Sequence, residues 1–166
     1  MRRLGKAAPP SSRDTLVYDP FPTVEHYAAW MSEQMRPDFS GEWVLNRPAC
    51  TLSPGADTTQ SAVWRIEHRE PTFHHKAAFV MEGGPREYEY ELQSDRPDSG
   101  LQWDGDALVV TFNNPLPEGE MTVSFRYELI DDGRRLRASE QVRGVPWAQD
   151  NVWIFDLGVP DRKPRS

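Results

Sequence analysis

The chain has 166 residues, the size of one domain with a buried core and a short leader. Its formal charge of −7 excludes nucleic acid as the expected partner, because phosphate binding requires a cationic surface. The single cysteine, Cys50, cannot form an intramolecular disulfide, and no apolar run approaches the roughly 20 residues of a membrane helix. These features predict a cytoplasmic protein without a membrane span.

The N-terminal part of the chain predicts two segments. Residues 1–22 combine scattered charges with Pro and Ser, a composition that predicts a flexible leader. Thr23 is an N-cap residue type, and apolar residues recur after it at helical spacing until Pro37. The pattern predicts an amphipathic helix over residues 23–36. It leaves open whether this helix plugs the following domain, covers a pocket as a lid or forms a dimer contact.

From residue 38 to residue 158 the apolar period changes to two, which is the repeat of a half-buried strand. Turn residues separate the segments, and no long helical crossover intervenes, so the strands should form an antiparallel meander. Closure into a barrel would hide the two edges of such a sheet. Residues 159–166 are predicted to be a C-terminal tail. The predicted strands are Gly41–Asn46, Ala62–Arg69, Thr72–Met81, Arg86–Ser94, Gly100–Trp103, Ala107–Asn113, Glu120–Ile130, Arg135–Arg143 and Asn151–Leu157.

Three motifs carry a resemblance to a known family. They are Phe39-Ser40-Gly41-Glu42-Trp43-Val44-Leu45, Trp103-Asp104-Gly105-Asp106-Ala107-Leu108, and Tyr127-Glu128-Leu129 followed by Asp132-Gly133-Arg134-Arg135-Leu136. Together they resemble calycin-type barrels, and in particular uncharacterised bacterial lipocalin-like proteins, over residues 38–157. The resemblance implies an all-β, calycin/lipocalin-like antiparallel meander barrel of about 8–10 strands with an N-terminal helix. It implies no particular function, because such barrels hold unrelated ligands and a few are enzymes.

Strand alternation also predicts which side chains face the interior, since residues i and i+2 share a face. The inward face is largely aromatic, but it carries a polar subset that includes Asn151. Burying polar groups costs a few kcal/mol each unless they are hydrogen-bonded, so their presence indicates a cavity. The predicted ligand-binding residues are Arg86, Tyr88, Tyr90, Tyr127, Trp64, Phe79, Phe112, Phe125 and Trp153. The candidate catalytic residues are Glu140, His75 and His68.

Two functions fit this interior. The first is binding of a small, largely apolar ligand with a polar or anionic head group. Arg86 with a neighbouring tyrosine would anchor that head, as an inward arginine and tyrosine do in the fatty-acid-binding proteins that the chain resembles at fold level. The second is a cofactor-free isomerase, cyclase or hydratase in which Glu140 and a histidine transfer protons. A structural pair of Glu140 with Arg86, or an interaction protein with a filled barrel, are the remaining alternatives.

The sequence predicts no cofactor and no metal. His74 and His75 point to opposite faces of one strand and cannot chelate together, and no nucleotide-binding or nucleophile motif occurs. A pair such as His68 and His75 across the hairpin, with Glu140 as a third ligand, is the metal site considered, and haem held by one inward histidine is the other alternative. The predicted partner is therefore a small apolar or amphiphilic molecule, and the oligomeric state stays open, a homodimer included.

Overall fold

The structure is a computed structural model that describes residues 23–144 and 148–158. The predicted leader (residues 1–22) and tail (residues 159–166) lie outside the described residues. In the described part of the chain, one α-helix, α1 (Val24–Gln34), precedes the strands. The main-chain N–H of His26 donates to Thr23 Oγ1 at 3.3 Å, so Thr23 caps this helix as predicted. No helix among the described residues is long and apolar enough to cross a bilayer.

Among the described residues, nine antiparallel strands form one sheet, which confirms the predicted fold class. Each strand pairs with the next along the chain, except that β4 and β5 do not pair, and the first strand also pairs with the last. This pairing of β1 with β9 joins the two halves of the meander. The strands are β1 (Gly41–Leu45), β2 (Thr59–Arg69), β3 (Thr72–Met81), β4 (Gly84–Gln93), β5 (Leu101–Asp104), β6 (Ala107–Leu116), β7 (Gly119–Ile130), β8 (Arg135–Arg143) and β9 (Ala148–Leu157).

The sheet curls into a half-barrel whose two edges are β4 and β5, where the sequence predicted closure. Both edges are poor templates for another chain, because β5 has only 4 residues and β4 carries Glu87, Glu89 and Glu91. Inside the curl, the hydroxyl of Tyr90 on β4 lies 3.0 Å from that of Tyr127 on β7. Side chains therefore join strands that the main chain leaves unpaired.

Burial divides the interior into a filled half and a hollow half. The filled half lies where β1, β3, β6 and β8 begin and where β2, β7 and β9 end, positions that coincide because neighbouring strands run antiparallel. Trp43 anchors this half, since its indole N–H donates to the Phe39 carbonyl at 2.9 Å. Its large, fully buried side chains include Phe39, Trp43, Phe73, Leu108, Leu136 and Phe155.

The Glu70 carboxylate links the two edges of the sheet at the filled end, because it bonds to Ser94, which follows β4, and to Trp103 on β5. Its Oε2 accepts from Ser94 Oγ at 2.5 Å, and its Oε1 accepts from Trp103 Nε1 on β5 at 2.8 Å and lies 3.0 Å from His68 Nε2. Burial alone would raise the pKa of Glu70, but the hydrogen bonds from Ser94, His68 and Trp103 outweigh it and hold the pKa below its usual 4.5.

We expect Glu70→Gln to lower the free energy of unfolding by about 1–2 kcal/mol at neutral pH, because an amide cannot replace all of these charged acceptors. The depressed pKa means that the contribution is complete above pH 4.5 and is lost as pH falls through the lower folded-state value. Urea unfolding of both proteins at two pH values measures it. Glu42→Gln, which removes an exposed pair with Arg65, is the control. A difference that grows on acidification would contradict the assignment.

Candidate functional site

The hollow half of the interior contains a cavity of about 870 Å³. Its lining comes mainly from the ends of strands opposite the filled half, where β3 ends and β4 begins, and where β6 ends and β7 begins. Ten of the twelve predicted site residues line it, namely Trp64, His75, Phe79, Tyr88, Tyr90, Phe112, Phe125, Tyr127, Glu140 and Trp153. The structure therefore brings these ten side chains together in one lining.

The cavity floor is a layer of aromatic rings next to the filled half. Trp64 is fully buried, and its ring centroid lies 4.0 Å from that of Phe155 and 4.8 Å from that of His75. The rings of Phe125 and Tyr127 are stacked with centroids 5.9 Å apart. This layer separates the packed core from the cavity, so the cavity ends where the large aromatic side chains begin.

A relay of three hydrogen-bonded polar side chains, the His75–Tyr90–Tyr127 relay, crosses this floor. The Tyr90 hydroxyl lies 2.6 Å from His75 Nδ1 and 3.0 Å from the Tyr127 hydroxyl. Since the Tyr90 hydroxyl has a single proton, it donates in one of these bonds and accepts in the other. The relay links β3, β4 and β7, so it also connects the edge strand β4 to β7 across the interior.

Burial keeps all three groups neutral. It lowers the pKa of His75 to about 3, with a smaller contribution from His74. It also raises the pKa of Tyr90 and that of Tyr127 above the usual value of 10.0. At neutral pH the floor of the cavity is therefore polar but uncharged.

Glu140 on β8 brings a carboxylate to the cavity wall. Its Oε2 accepts from Asn151 Nδ2 at 2.9 Å and from Trp153 Nε1 at 2.8 Å, both on β9. The sequence analysis expected an arginine or a histidine as the partner of this carboxylate. The structure instead provides two neutral donors, because Asn151 lies directly opposite Glu140 in the β8–β9 register and Trp153 is next on the same face.

The segment between β1 and β2 contributes part of the lining that the sequence analysis missed. The Ser53 N–H donates to Asn151 Oδ1 at 2.7 Å, and Ser53 Oγ donates to Gln149 Oε1 at 3.0 Å. These bonds bring Gly55 and Ala56 to the cavity. The inward position of Asn151 was the only signal, since a loop has no period from which its docking could be predicted. The further lining residues are Thr59, Ala77, Met81, Glu87, Glu89, Asn114, Met121, Val123, Gln149 and Asn151.

Two predicted site residues do not line the cavity. Arg86 is exposed at the start of the edge strand β4, where its long side chain reaches a guanidinium nitrogen towards Gly83 in the turn. His68 is buried in the filled half, where Nδ1 accepts from the Phe39 N–H at 3.4 Å and Nε2 contacts Glu70. Neither residue is placed to contact a molecule in the hollow half.

No three His, Cys, Asp or Glu side chains are grouped as metal ligands within residues 23–144 and 148–158. His68 and His75, the pair that the spacing allowed, are held apart by different partners, Glu70 for His68 and Tyr90 for His75. Their nitrogens therefore serve separate hydrogen-bond networks.

Comparison with known proteins concerns the fold. No protein-family model matches the sequence, and no curated protein matches it. The chain is similar to the siderocalin Ex-FABP, which is described as functioning through dual ligand specificities. The two share 14% sequence identity with a TM-score of 0.45, and the match covers 72% of this chain and 74% of that chain. It is also similar to secretory abundant heat soluble protein 4 from Ramazzottius varieornatus, with 14% identity, 72% and 95% coverage, and a TM-score of 0.47.

We expect Tyr90→Phe to lower the free energy of unfolding by about 1–3 kcal/mol, because His75 Nδ1 and the Tyr127 hydroxyl both lose a partner in a buried site. Urea unfolding measures the change. Tyr88→Phe is the matched control: Tyr88 is 54% exposed, and its hydroxyl bonds to no described residue, so the loss should stay within about 0.5 kcal/mol. Equal losses in the two variants would show that the relay has no structural role.

The lowered pKa of His75 predicts a pH dependence of stability. The unfolded chain binds a proton on His75 below its usual pKa of 6.5, whereas the folded chain does so only near 3. Stability should therefore fall as pH drops below 6.5, by at most about 1.4 kcal/mol per pH unit from this residue. Urea unfolding from neutral pH to mildly acidic pH should show a steeper decline for the native sequence than for His75→Gln. Parallel slopes would contradict the assignment.

Proposed function

We propose that the chain binds a small, largely apolar molecule with a polar head in the hollow half of its interior. The observation that carries the proposal is a cavity of about 870 Å³ with an aromatic wall, beside a packed core in the same sheet. Sites for small molecules usually enclose about 300–1,000 Å³, with apolar walls and a few fixed polar groups. The fixed polar groups here are Glu140 with Asn151 and the hydroxyls of Tyr90 and Tyr127. Cytoplasmic location stays a prediction of the sequence, and the oligomeric state stays open.

Acid–base catalysis is the second candidate, and one observation favours it. Glu140 and the His75–Tyr90–Tyr127 relay line one cavity, as an isomerase, cyclase or hydratase would require. Neutral His75 could accept a proton, but its low pKa makes it a weak base near neutral pH. His68, the other histidine considered for this role, lies in the filled half. Binding therefore remains the better-supported function.

Native mass spectrometry of the freshly purified protein tests binding directly. We expect a complex with one apolar molecule, which denaturing extraction would release for identification. If the purified protein carries no bound molecule, it is titrated with Nile red, a neutral apolar dye whose fluorescence rises when the dye is buried. Saturable binding of one dye per chain supports the proposal, and absence of both a bound molecule and saturable dye binding would overturn it.

Filling the cavity should abolish this binding. Val123 faces the cavity from β7, opposite Phe112, so Val123→Trp places an indole in the space that a ligand would occupy. We expect the affinity for Nile red to fall by about tenfold or more. Val80→Trp adds the same group on the outer face of β3, where Val80 is 43% exposed, and should leave affinity unchanged. Equal affinity in both variants would place the dye outside the cavity.

A further inference from the structure

Among the described residues that line the hollow half, Glu140 is the one charged side chain that points inward. Neither lysine nor arginine is among the described lining residues. Glu87 and Glu89 also border the cavity, but they alternate with Tyr88 and Tyr90 along β4 and so point outward. Glu89 confirms this orientation, because it contacts His74 Nε2 on the outer face at 2.9 Å. His75 is neutral, so the inner face carries a net negative charge.

The Glu140 carboxylate is held in one orientation but is not neutralised. Both of its hydrogen bonds, from Asn151 and from Trp153, end on Oε2. No described residue donates to Oε1, and no described cation forms an ion pair with Glu140. Asn151 is fixed in turn by the Ser53 N–H, so the carboxylate rests on a rigid support. A half-buried carboxylate in this state can gain a further charged partner from a ligand.

Two aromatic side chains adjoin this carboxylate, and further rings pack against those two. Phe125 lies directly across from Glu140 in the β7–β8 register, and Trp153 donates to it. The Phe79 ring packs against Trp153 with centroids 5.9 Å apart, and Phe125 packs against Trp64 at 6.2 Å. The faces of aromatic rings attract cations, so a carboxylate among several rings is suited to an ammonium group.

We infer that the ligand's head group is cationic, an amine or a quaternary ammonium, which binds at Glu140 while its apolar body lies among the aromatic side chains. The inference rests on the proposed function and refines it. It replaces the anionic head that Arg86 was expected to anchor, since Arg86 lies outside the cavity and an anion would be repelled by Glu140. The preference for a cation comes from one fixed charge and from the rings around it.

Three amphiphiles with the same decyl chain test the inference, namely decyltrimethylammonium, decanol and decanoate. Each is added below its micelle concentration to protein loaded with Nile red, and dye displacement is measured near neutral pH. We expect decyltrimethylammonium to bind at least about tenfold more tightly than decanoate, with decanol between them. In Glu140→Gln we expect all three amphiphiles to bind with about the affinity of decanol. The affinity for decanol itself should be the same as in the native sequence.

Glu67→Gln is the matched control. It removes the same charge from the exposed, outer face of β2, so it reports any general attraction of cations to an acidic protein. Loss of the cation preference in both variants would mean surface attraction and would overturn the inference. Equal or tighter binding of decanoate to the native sequence would also overturn it, yet leave binding in the cavity intact. If the dye binds and none of the three amphiphiles displaces it, the inference fails. If no dye binds and the purified protein carries no bound molecule, the proposed function itself fails.

Discussion

The open side of the sheet is the constraint on which the rest of the structure depends. Nine strands curl far enough for β4 to face β7, yet no main-chain hydrogen bonds join β4 to β5. The curl is therefore held by side chains, through Glu70 at the filled end and through Tyr90 across the middle. Burial strengthens the bonds of the Tyr90 hydroxyl, whereas the more exposed Glu70 makes strong bonds because its carboxylate is charged. Loss of either would remove a side-chain link across the open side of the sheet, while β4 would stay paired with β3 and β5 with β6.

This arrangement also explains why a cavity can persist beside a well-packed core. Stability comes from the filled half, where Trp43, Phe73 and Phe155 are almost completely removed from water. The hollow half adds little packing, so its wall residues are less constrained by the stability of the fold. The aromatic floor at Trp64 marks the boundary between the two, and the His75–Tyr90–Tyr127 relay stiffens it without adding charge.

The fold could be predicted from the sequence because its signal is local. Alternation and turn residues placed every strand within a few residues of its observed bounds, and β3 and β8 were placed as observed. The inward faces followed from the same alternation. The missing closure between β4 and β5 could not be predicted, because strand period says nothing of the curvature of a whole sheet. The docking of Ser53 on Asn151 depends equally on contacts between distant parts of the chain.

The charge of the site shows why alternation alone is not enough. Arg86 and Glu140 both fall on inward faces by their strand period, but they differ in their place in the sheet and in the reach of their side chains. Arg86 lies near the start of an edge strand, beside a turn, so its long, flexible side chain can place the guanidinium in water. Glu140 is short, lies on the inner strand β8, and meets Asn151 and Trp153 at once on β9. A charged group stays inside the sheet when its side chain is too short to reach water and neighbouring side chains donate hydrogen bonds to it. The cavity wall therefore contains the Glu140 carboxylate but not the Arg86 guanidinium.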